Sequence, residues 1–271
     1  MNLSPVFGMV SDPSGAMRKG LAEVLKRKPL SEAGYQGVEL AVHRVEEKEL
    51  SESFWKALKA QPVVIADGHH RYETALKYRD EAGGEESGHV LMALVPFESE
   101  GLLVQPTHRV ARFETPHLYK DFLRFLRSFF DLKELEGAGP QDWEEEIASL
   151  KGPGSFGLVL QEGGRTMGYS LAALDWKRCL AAQREKLPGH RDGFYALDVV
   201  CLANLLPEGG AKVTPDRDAS RVAEAVCGDD QTLAFLVRSV SPGQVFTLAV
   251  AGERFPEKTT YFYPKLPTGV V

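Results

Sequence analysis

The sequence predicts a mixed α/β fold, because strand-type and helix-type patterns alternate along its 271 residues. The clearest case is Pro62–Ala66, a compact apolar run of strand type, which is followed after Asp67–Arg71 by a helical pattern that reaches about Glu81. Hydrophobic residues make up 43% of the chain and charged residues 26%, which is the balance of a globular protein. We therefore expect a mixed sheet with an inserted or appended α/β subdomain.

The first third of the chain has strands bounded by turn signals and helices between them. The predicted elements are a strand at 5–10, a helix at 17–28, a strand at 37–45 and a helix at 49–60. The apolar runs Val90–Val95 and Leu102–Gln105 flank an acidic, glycine-containing segment, Glu98–Gly101. This arrangement predicts a β-hairpin.

Helical spacing returns after residue 117. It predicts one helix at 118–130 and a second one after the Gly-Ala-Gly-Pro break at 137–140. Two alternating runs, 156–161 and 166–171, meet at Gly163-Gly164 and predict a hairpin. Residues 118–175 therefore form the predicted α/β subdomain.

The C-terminal third begins with an apolar helix, Leu197–Leu206, and continues with a shorter amphipathic helix at 218–226 and a strand at 233–237. Ser241, Pro242 and Gln244 have the pattern of a capping box that begins another helix. We expect three parts: 1–117 as a phosphate-binding core half, 118–175 as the subdomain, and 176–271 as a C-terminal half that packs on the core.

Charge and cysteine usage exclude several classes of function. With 38 acidic and 32 basic residues the net charge is −6, which offers no positive field for a nucleic acid. No window reaches about 18 consecutive apolar residues, so we expect no membrane span. The cysteines at 179, 201 and 227 form no CxxC motif, which favours a reducing, cytoplasmic compartment. We expect a small-molecule substrate as the partner, and the sequence leaves open whether the chain forms a homo-oligomer.

The chemistry-bearing residues concentrate at the strand–helix junction Asp67-Gly-His-His-Arg71. Backbone N–H groups and the positive end of the helix dipole converge there, and Gly68 has no Cβ to keep a phosphate away. Arg71, His69 and His70 add donors, while Asp67 is suited to capping the helix, holding a hydrated Mg²⁺ or accepting a proton from an attacking hydroxyl.

Two other interpretations of this junction remain. An Asp-Gly turn with a capping aspartate is common, and adjacent histidines on a helix point about 100° apart, which is poor geometry for one metal ion. A metal-dependent hydrolase is nevertheless an alternative, with Asp67, His69 or His70, and His108 as ligands.

Three segments of the chain resemble the family known as domain of unknown function 1015. They are Ile65-Ala-Asp-Gly-His-His-Arg-Tyr-Glu-Thr-Ala-Leu76, Pro106-Thr-His-Arg109 and Lys258-Thr-Thr-Tyr-Phe-Tyr-Pro-Lys-Leu-Pro-Thr-Gly269. More distantly, Gly68–Arg71 resembles the phosphate-cradling turn of the ParB/sulfiredoxin superfamily, which includes nucleotide-dependent free-serine kinases. This resemblance implies a ParB/sulfiredoxin-like core. The chain is similar to a short form of the family that begins at the segment Ser4–Gly8, after the family's N-terminal portion.

The resemblance implies a small-molecule kinase, with serine as the family-level acceptor and ATP or ADP with Mg²⁺ as cofactors. It implies catalytic roles for Asp67, His70 and His108, with Asp67 also as the metal ligand. The phosphate-binding residues that it implies are Gly68, His69, His70, Arg71, Thr107, Arg109, Lys258 and Lys265. In this scheme His108 and Arg109 stabilise charge on the transferring group. A binding protein without turnover is the non-catalytic alternative.

Overall fold

The computed structural model describes residues 4–35 and 37–266, so the end of the C-terminal signature, 267–269, lies outside the described residues. The strands are β1 (Val6–Val10), β2 (Ser31–Tyr35), β3 (Val38–Val42), β4 (Val64–Asp67), β5 (Met92–Pro96), β6 (Leu103–Gln105), β7 (His108–Phe113), β8 (Phe130–Glu134), β9 (Ser155–Glu162), β10 (Arg165–Ala173), β11 (Ala211–Asp216), β12 (Thr232–Leu236) and β13 (Tyr261–Tyr263). The helices are α1 (Ala16–Leu25), α2 (Glu52–Lys59), α3 (His69–Ala82), α4 (Pro116–Phe129), α5 (Pro140–Ser149), α6 (Trp176–Lys186), α7 (Asp192–Tyr195), α8 (Asp198–Leu205), α9 (Ala219–Glu224) and α10 (Pro242–Val250). The mixed α/β class is thus confirmed.

The chain divides into two compact units. The first consists of the described parts of 1–103, 241–251 and 262–271, and the second consists of 104–240 and 252–261. No helix in 4–35 or 37–266 is both long enough and apolar enough to cross a membrane.

The first unit contains a mixed sheet in the order β4-β1-β5. The central strand β1 is buried along its whole length, antiparallel to β4 and parallel to β5. Phe7 lies opposite Asp67 in the register, so the beginning of β1 runs beside the end of β4. Helices α1 and α2 pack together around Val10, Met17 and Phe54. This sheet fixes the position at which β4 ends and α3 begins.

The predicted hairpin of 90–95 with 102–105 is wrong, because β5 pairs in parallel with β1 instead. Glu98, which we placed in the hairpin loop, accepts hydrogen bonds from the Ser11 hydroxyl at 2.8 Å and from the Asp12 N–H at 3.0 Å. The acidic segment therefore holds the turn between β1 and α1. An apolar run suits a parallel and an antiparallel neighbour equally well, so the pattern did not identify the partner.

The second unit is built on an antiparallel sheet in the order β11-β7-β12-β9-β10-β8. Strand β12 is buried on both faces. Its Ala234 and Leu236 pack with residues of α5 and α9, whereas Phe235 lies against Phe122 of α4 and Phe156 of β9. Helices thus cover both faces of the sheet.

The predicted boundaries at 117/118 and 175/176 fall inside this second unit. Strand β7, which precedes 118–175, pairs with β11 and β12, which follow it, while β12 also pairs with β9 from within that stretch. The sequence also left β11 unassigned. That strand lies at the edge of the sheet, which is the position at which a strand tolerates a proline such as Pro215.

Candidate functional site

Gly68 joins β4 to α3 in a left-handed conformation, with φ 91° and ψ 26°. An L side chain is strained there, and a Cβ on Gly68 would lie 2.8 Å from Nη2 of Arg71 and 2.9 Å from its Nε. No side chain caps α3, and its first turn contains no acidic residue. The first intrahelical bond runs from the Tyr72 N–H to the Gly68 carbonyl. The N–H groups before Tyr72 therefore form an uncapped amino end.

Arg71 folds back across the turn and ties it to the beginning of β1. Its Nη1 donates to the carbonyl of Pro5 at 2.7 Å and to the hydroxyl of Ser4, while Nη2 lies 3.3 Å from Oδ2 of Asp67. About a third of the side chain is exposed. The guanidinium thus braces the turn and still reaches solvent.

Asp67 is contacted by two cations, Arg71 from the first turn of α3 and Lys265 from a segment far away in the sequence. Nζ of Lys265 lies 3.4 Å from the same Oδ2 atom that Arg71 contacts. The Asp67 side chain is 43% exposed, so the group lies at the surface of the first unit. The structure therefore brings together three of the predicted site residues: Asp67, Arg71 and Lys265.

His69 and His70 are both exposed at the beginning of α3, and none of the residues of this helix is buried. Nδ1 of His70 lies 3.4 Å from Oε2 of Glu73, and the His70 carbonyl accepts a hydrogen bond of 2.7 Å from the Thr74 hydroxyl. Across the described residues, no three His, Cys, Asp or Glu side chains lie close enough together to hold a metal ion. No observation favours the hydrolase, which stays a prediction.

Thr107, His108 and Arg109 belong to the second unit, and all three are buried. His108 has no exposed surface. Its Nδ1 accepts a hydrogen bond of 3.2 Å from the Val237 N–H, which leaves the proton on Nε2, 3.3 Å from Oε1 of Glu144. That second pair lacks the alignment of a hydrogen bond. The imidazole contacts no solvent in this structure, and its catalytic role stays a prediction.

The guanidinium of Arg109 donates hydrogen bonds to backbone carbonyls. Nη1 donates to the Thr107 carbonyl at 2.5 Å and to the His108 carbonyl at 3.2 Å, and Nη2 donates to the Lys258 carbonyl at 2.9 Å. Burial lowers the pKa of this guanidinium. Arg109 therefore holds the segment that carries Lys258, and charge stabilisation by Arg109 stays a prediction.

Sequence reasoning missed six residues that line a pocket of about 370 Å³ in the second unit together with Thr107 and Lys258. They are Pro215, Asp216, Arg217, Arg221, Thr260 and Tyr261. The signal available in the sequence was weak: two arginines follow the unassigned strand β11. Only the structure shows that they lie beside the C-terminal signature.

The family model described as "Protein of unknown function (DUF1015)" matches residues 1–198. The chain belongs to this family. The recognition of the family from the sequence is therefore confirmed. The segments at 65–76 and 106–109 lie within the matched residues, whereas 258–269 lies beyond them. A search of curated proteins gives no match.

Several solved structures are similar to this member of the DUF1015 family. A free serine kinase in complex with AMP is 13% identical, with a TM-score of 0.39 over 96% of this chain and 83% of its own. A mutant free serine kinase in complex with ADP is 14% identical, with a TM-score of 0.39 over 94% and 83%. A conserved hypothetical protein from Pyrococcus furiosus is 13% identical, with a TM-score of 0.39 over 99% and 96%.

Proposed function

We propose that this protein binds the phosphate groups of a nucleotide at the Asp67–Arg71 turn and transfers a phosphoryl group to a small hydroxyl compound, such as serine. The observation that carries the proposal is the uncapped amino end of α3 beside Arg71 and Lys265. Backbone N–H groups at such an end favour anions, and the two cations add charge of the same sign.

The exposed histidines in the first turn of α3 support the same role. His69 and His70 are exposed at the first two positions of α3, beside the uncapped backbone N–H groups. In the described chain, the only ion-pair partner within 4 Å of His70 is Glu73. A helix-capping role would use a carboxylate or hydroxyl at Gly68, which this chain lacks. We assign the amide groups after Gly68, the two imidazoles and Arg71 to the phosphate oxygens.

In the proposed transfer, the bond between the terminal phosphorus and its bridging oxygen breaks while the acceptor oxygen bonds to that phosphorus. The acceptor proton passes to the carboxylate of Asp67. Most of the catalysis of such a step is positioning and charge stabilisation, which the amide groups, Arg71 and Lys265 supply.

Mg²⁺ bound with a nucleotide usually takes one or two carboxylates and the phosphate oxygens. Asp67 is half exposed, and its described cation contacts use Oδ2, so the residue fits as a single ligand through Oδ1. When bound, the ion would neutralise phosphate charge.

Replacing His70 by Ala tests the binding site without disturbing the fold, because the His70 side chain is fully exposed. Loss of one hydrogen bond to a charged group weakens affinity by about tenfold or more. We expect this loss in ADP affinity by isothermal titration calorimetry. His117→Ala is the matched control, since His117 is exposed on α4 and pairs with Asp121 at 3.0 Å. Equal affinity in both variants would refute the phosphate site.

Phosphoryl transfer is tested separately by ³¹P nuclear magnetic resonance. The protein is incubated with Mg²⁺, serine, and either ATP or ADP, and we expect a phosphomonoester signal that disappears in Asp67→Asn. Tight nucleotide binding without that signal across a panel of hydroxyl compounds would leave a binding protein and refute the kinase.

A further inference from the structure

The second unit contains another cluster of basic residues, which is distant in sequence from the turn at Asp67–Arg71. It borders the pocket of about 370 Å³ at the end of β11, where Asp216 lies opposite His108 in the register with β7. Three cationic and three hydroxyl-bearing side chains line it with Pro215 and Asp216: Arg217, Arg221, Lys258, Thr107, Thr260 and Tyr261. Such a lining is unusual in a protein whose net charge is −6.

The acidic residue of the pocket neutralises only one of the three cations. Arg221 donates to both carboxylate oxygens of Asp216, from Nη2 at 2.8 Å and from Nε at 3.1 Å. This guanidinium lowers the pKa of Asp216, as expected for a committed ion pair. Arg217 and Lys258 form no ion pair with any residue in the described ranges. The pocket therefore keeps two uncompensated positive charges.

Arg217 is held in place by an aromatic ring. Its guanidinium carbon lies 3.8 Å from the centroid of the Tyr261 ring, within the range of a cation–π contact. This contact restricts a long side chain and uses none of its N–H donors in a conventional hydrogen bond. A ligand thus meets an ordered guanidinium, and the entropy of ordering it is already lost.

Lys258 is held by its backbone. It has a positive φ of 56°, which no other non-glycine residue of the described chain shares. Its carbonyl accepts the 2.9 Å hydrogen bond from buried Arg109, and the neighbouring Thr259 hydroxyl donates to the Pro256 carbonyl at 2.7 Å. A lysine in this conformation costs free energy, and such outliers persist where the surroundings enforce them. The fold therefore enforces this conformation at the position that carries the pocket's second uncompensated charge.

From these contacts we infer that the pocket binds the dianionic phosphate group of a small molecule, with Arg217 and Lys258 as the charged ligands and the hydroxyl groups of Thr107 and Thr260 beside them. A phosphate offers several acceptor oxygens and about two negative charges, which match two cations and neighbouring hydroxyls. A carboxylate offers one charge. The site uses none of the residues of the β4–α3 turn, so its test does not depend on the proposed function. The sequence resemblance already implies phosphate contacts for Thr107 and Lys258, and the inference adds Arg217 and Thr260 in a pocket of their own.

The test uses Lys258→Gly and Arg217→Met in the full chain, with inorganic phosphate as the probe. Glycine accepts a φ of 56° without strain, so the first variant removes the ammonium and keeps the loop. We expect each variant to weaken phosphate binding by about 10- to 100-fold in calorimetry. Lys177→Ala and Arg165→Met remove the same charges from exposed positions and serve as controls.

Hydrogen exchange locates the bound ion in the unmodified protein. We expect phosphate to protect amides within 214–221 and 256–261, and the same protection in His70→Ala. A comparison of glycerol phosphate with inorganic phosphate identifies the source of the phosphate group. Tighter binding of glycerol phosphate indicates that the natural ligand is a phosphorylated compound, and equal binding indicates that it is the free ion. Unchanged affinity in both pocket variants would overturn the inference. So would acetate that binds as tightly as phosphate, or protection that spares both segments.

Discussion

The substitution Gly68→Ala separates two reasons for glycine at the β4–α3 turn. One is the left-handed backbone, and the other is the space that Arg71 occupies above Gly68, where a Cβ would come within 2.8 to 3.0 Å of three guanidinium atoms. Gly15 is a matched control. It also begins a helix without a side-chain cap, in a left-handed conformation of φ 67° and ψ 17°, and a Cβ there would meet nothing within 4 Å.

The expected magnitudes follow from these geometries. A left-handed L residue costs about 1 to 2 kcal/mol, and the reduced entropy of the unfolded chain offsets about 0.4 to 1 kcal/mol of it. Gly15→Ala should therefore lower the free energy of unfolding by about 1 kcal/mol. Gly68→Ala also displaces the guanidinium from Pro5 and Asp67, and a hydrogen bond of a charged group contributes about 1.5 kcal/mol at its low end. We expect a total loss of about 2.5 kcal/mol.

Urea unfolding followed by circular dichroism measures both variants, and hydrogen exchange of the peptide 64–76 locates the loss. The double variant with Arg71→Ala completes a cycle, because Gly68→Ala should then cost no more than Gly15→Ala. If Gly68→Ala and Gly15→Ala lower the free energy of unfolding by the same amount, the crowding of Arg71 against Gly68 has no effect. The contacts of Arg71 with Pro5 and Asp67 then do not stabilise the turn.

Three further outcomes follow from the second unit. Asp198→Ala should lower the free energy of unfolding by about 3 to 5 kcal/mol, because it leaves the half-buried Arg238 without the carboxylate it contacts; a urea midpoint near that of the wild type would contradict this. Gly157→Ala should cost about 1 to 3 kcal/mol, since its Cβ would lie 2.8 Å from a side chain of β12, and an unchanged melting temperature would exclude this crowding. Because Arg221 lowers the folded-state pKa of Asp216, their stabilisation is complete above the unfolded pKa of about 3.9 and is lost as pH falls through the folded value. Melting temperatures from pH 6 to pH 2 should therefore fall less steeply in Arg221→Met than in the wild type, and parallel curves would show that the pair is not coupled to folding.

Local chemistry explains what the sequence predicted well. The capping box at Ser241 is present, with its hydroxyl accepting from the Gln244 N–H at 3.2 Å, because both partners lie within one turn. The hairpin at Gly163-Gly164 is also confirmed, since two glycines with positive φ define a tight turn on their own. The Gly68 junction belongs to the same class.

Long-range pairing explains what the sequence could not predict. The parallel partner of β5 and the edge position of β11 depend on how the sheets assemble, which no residue period encodes. His108 and Arg109 have the composition of a solvent-facing site, yet the fold buries both. The contact of Asp67 with Lys265 and the cation–π contact of Arg217 with Tyr261 join segments far apart in the chain.

Both units include residues that follow residue 251, and this has a consequence for biosynthesis. The first unit needs Phe262, whose ring meets that of Phe7 edge to face at a centroid distance of 6.0 Å, and the second needs 252–261. Domains ordinarily fold in turn as they leave the ribosome, N-terminal first. Here a nascent chain halted before residue 252 has neither unit complete, so neither unit can finish folding until residues 252–262 have been synthesised. Proteolytic removal of the residues from 252 onward should accordingly weaken the two units together.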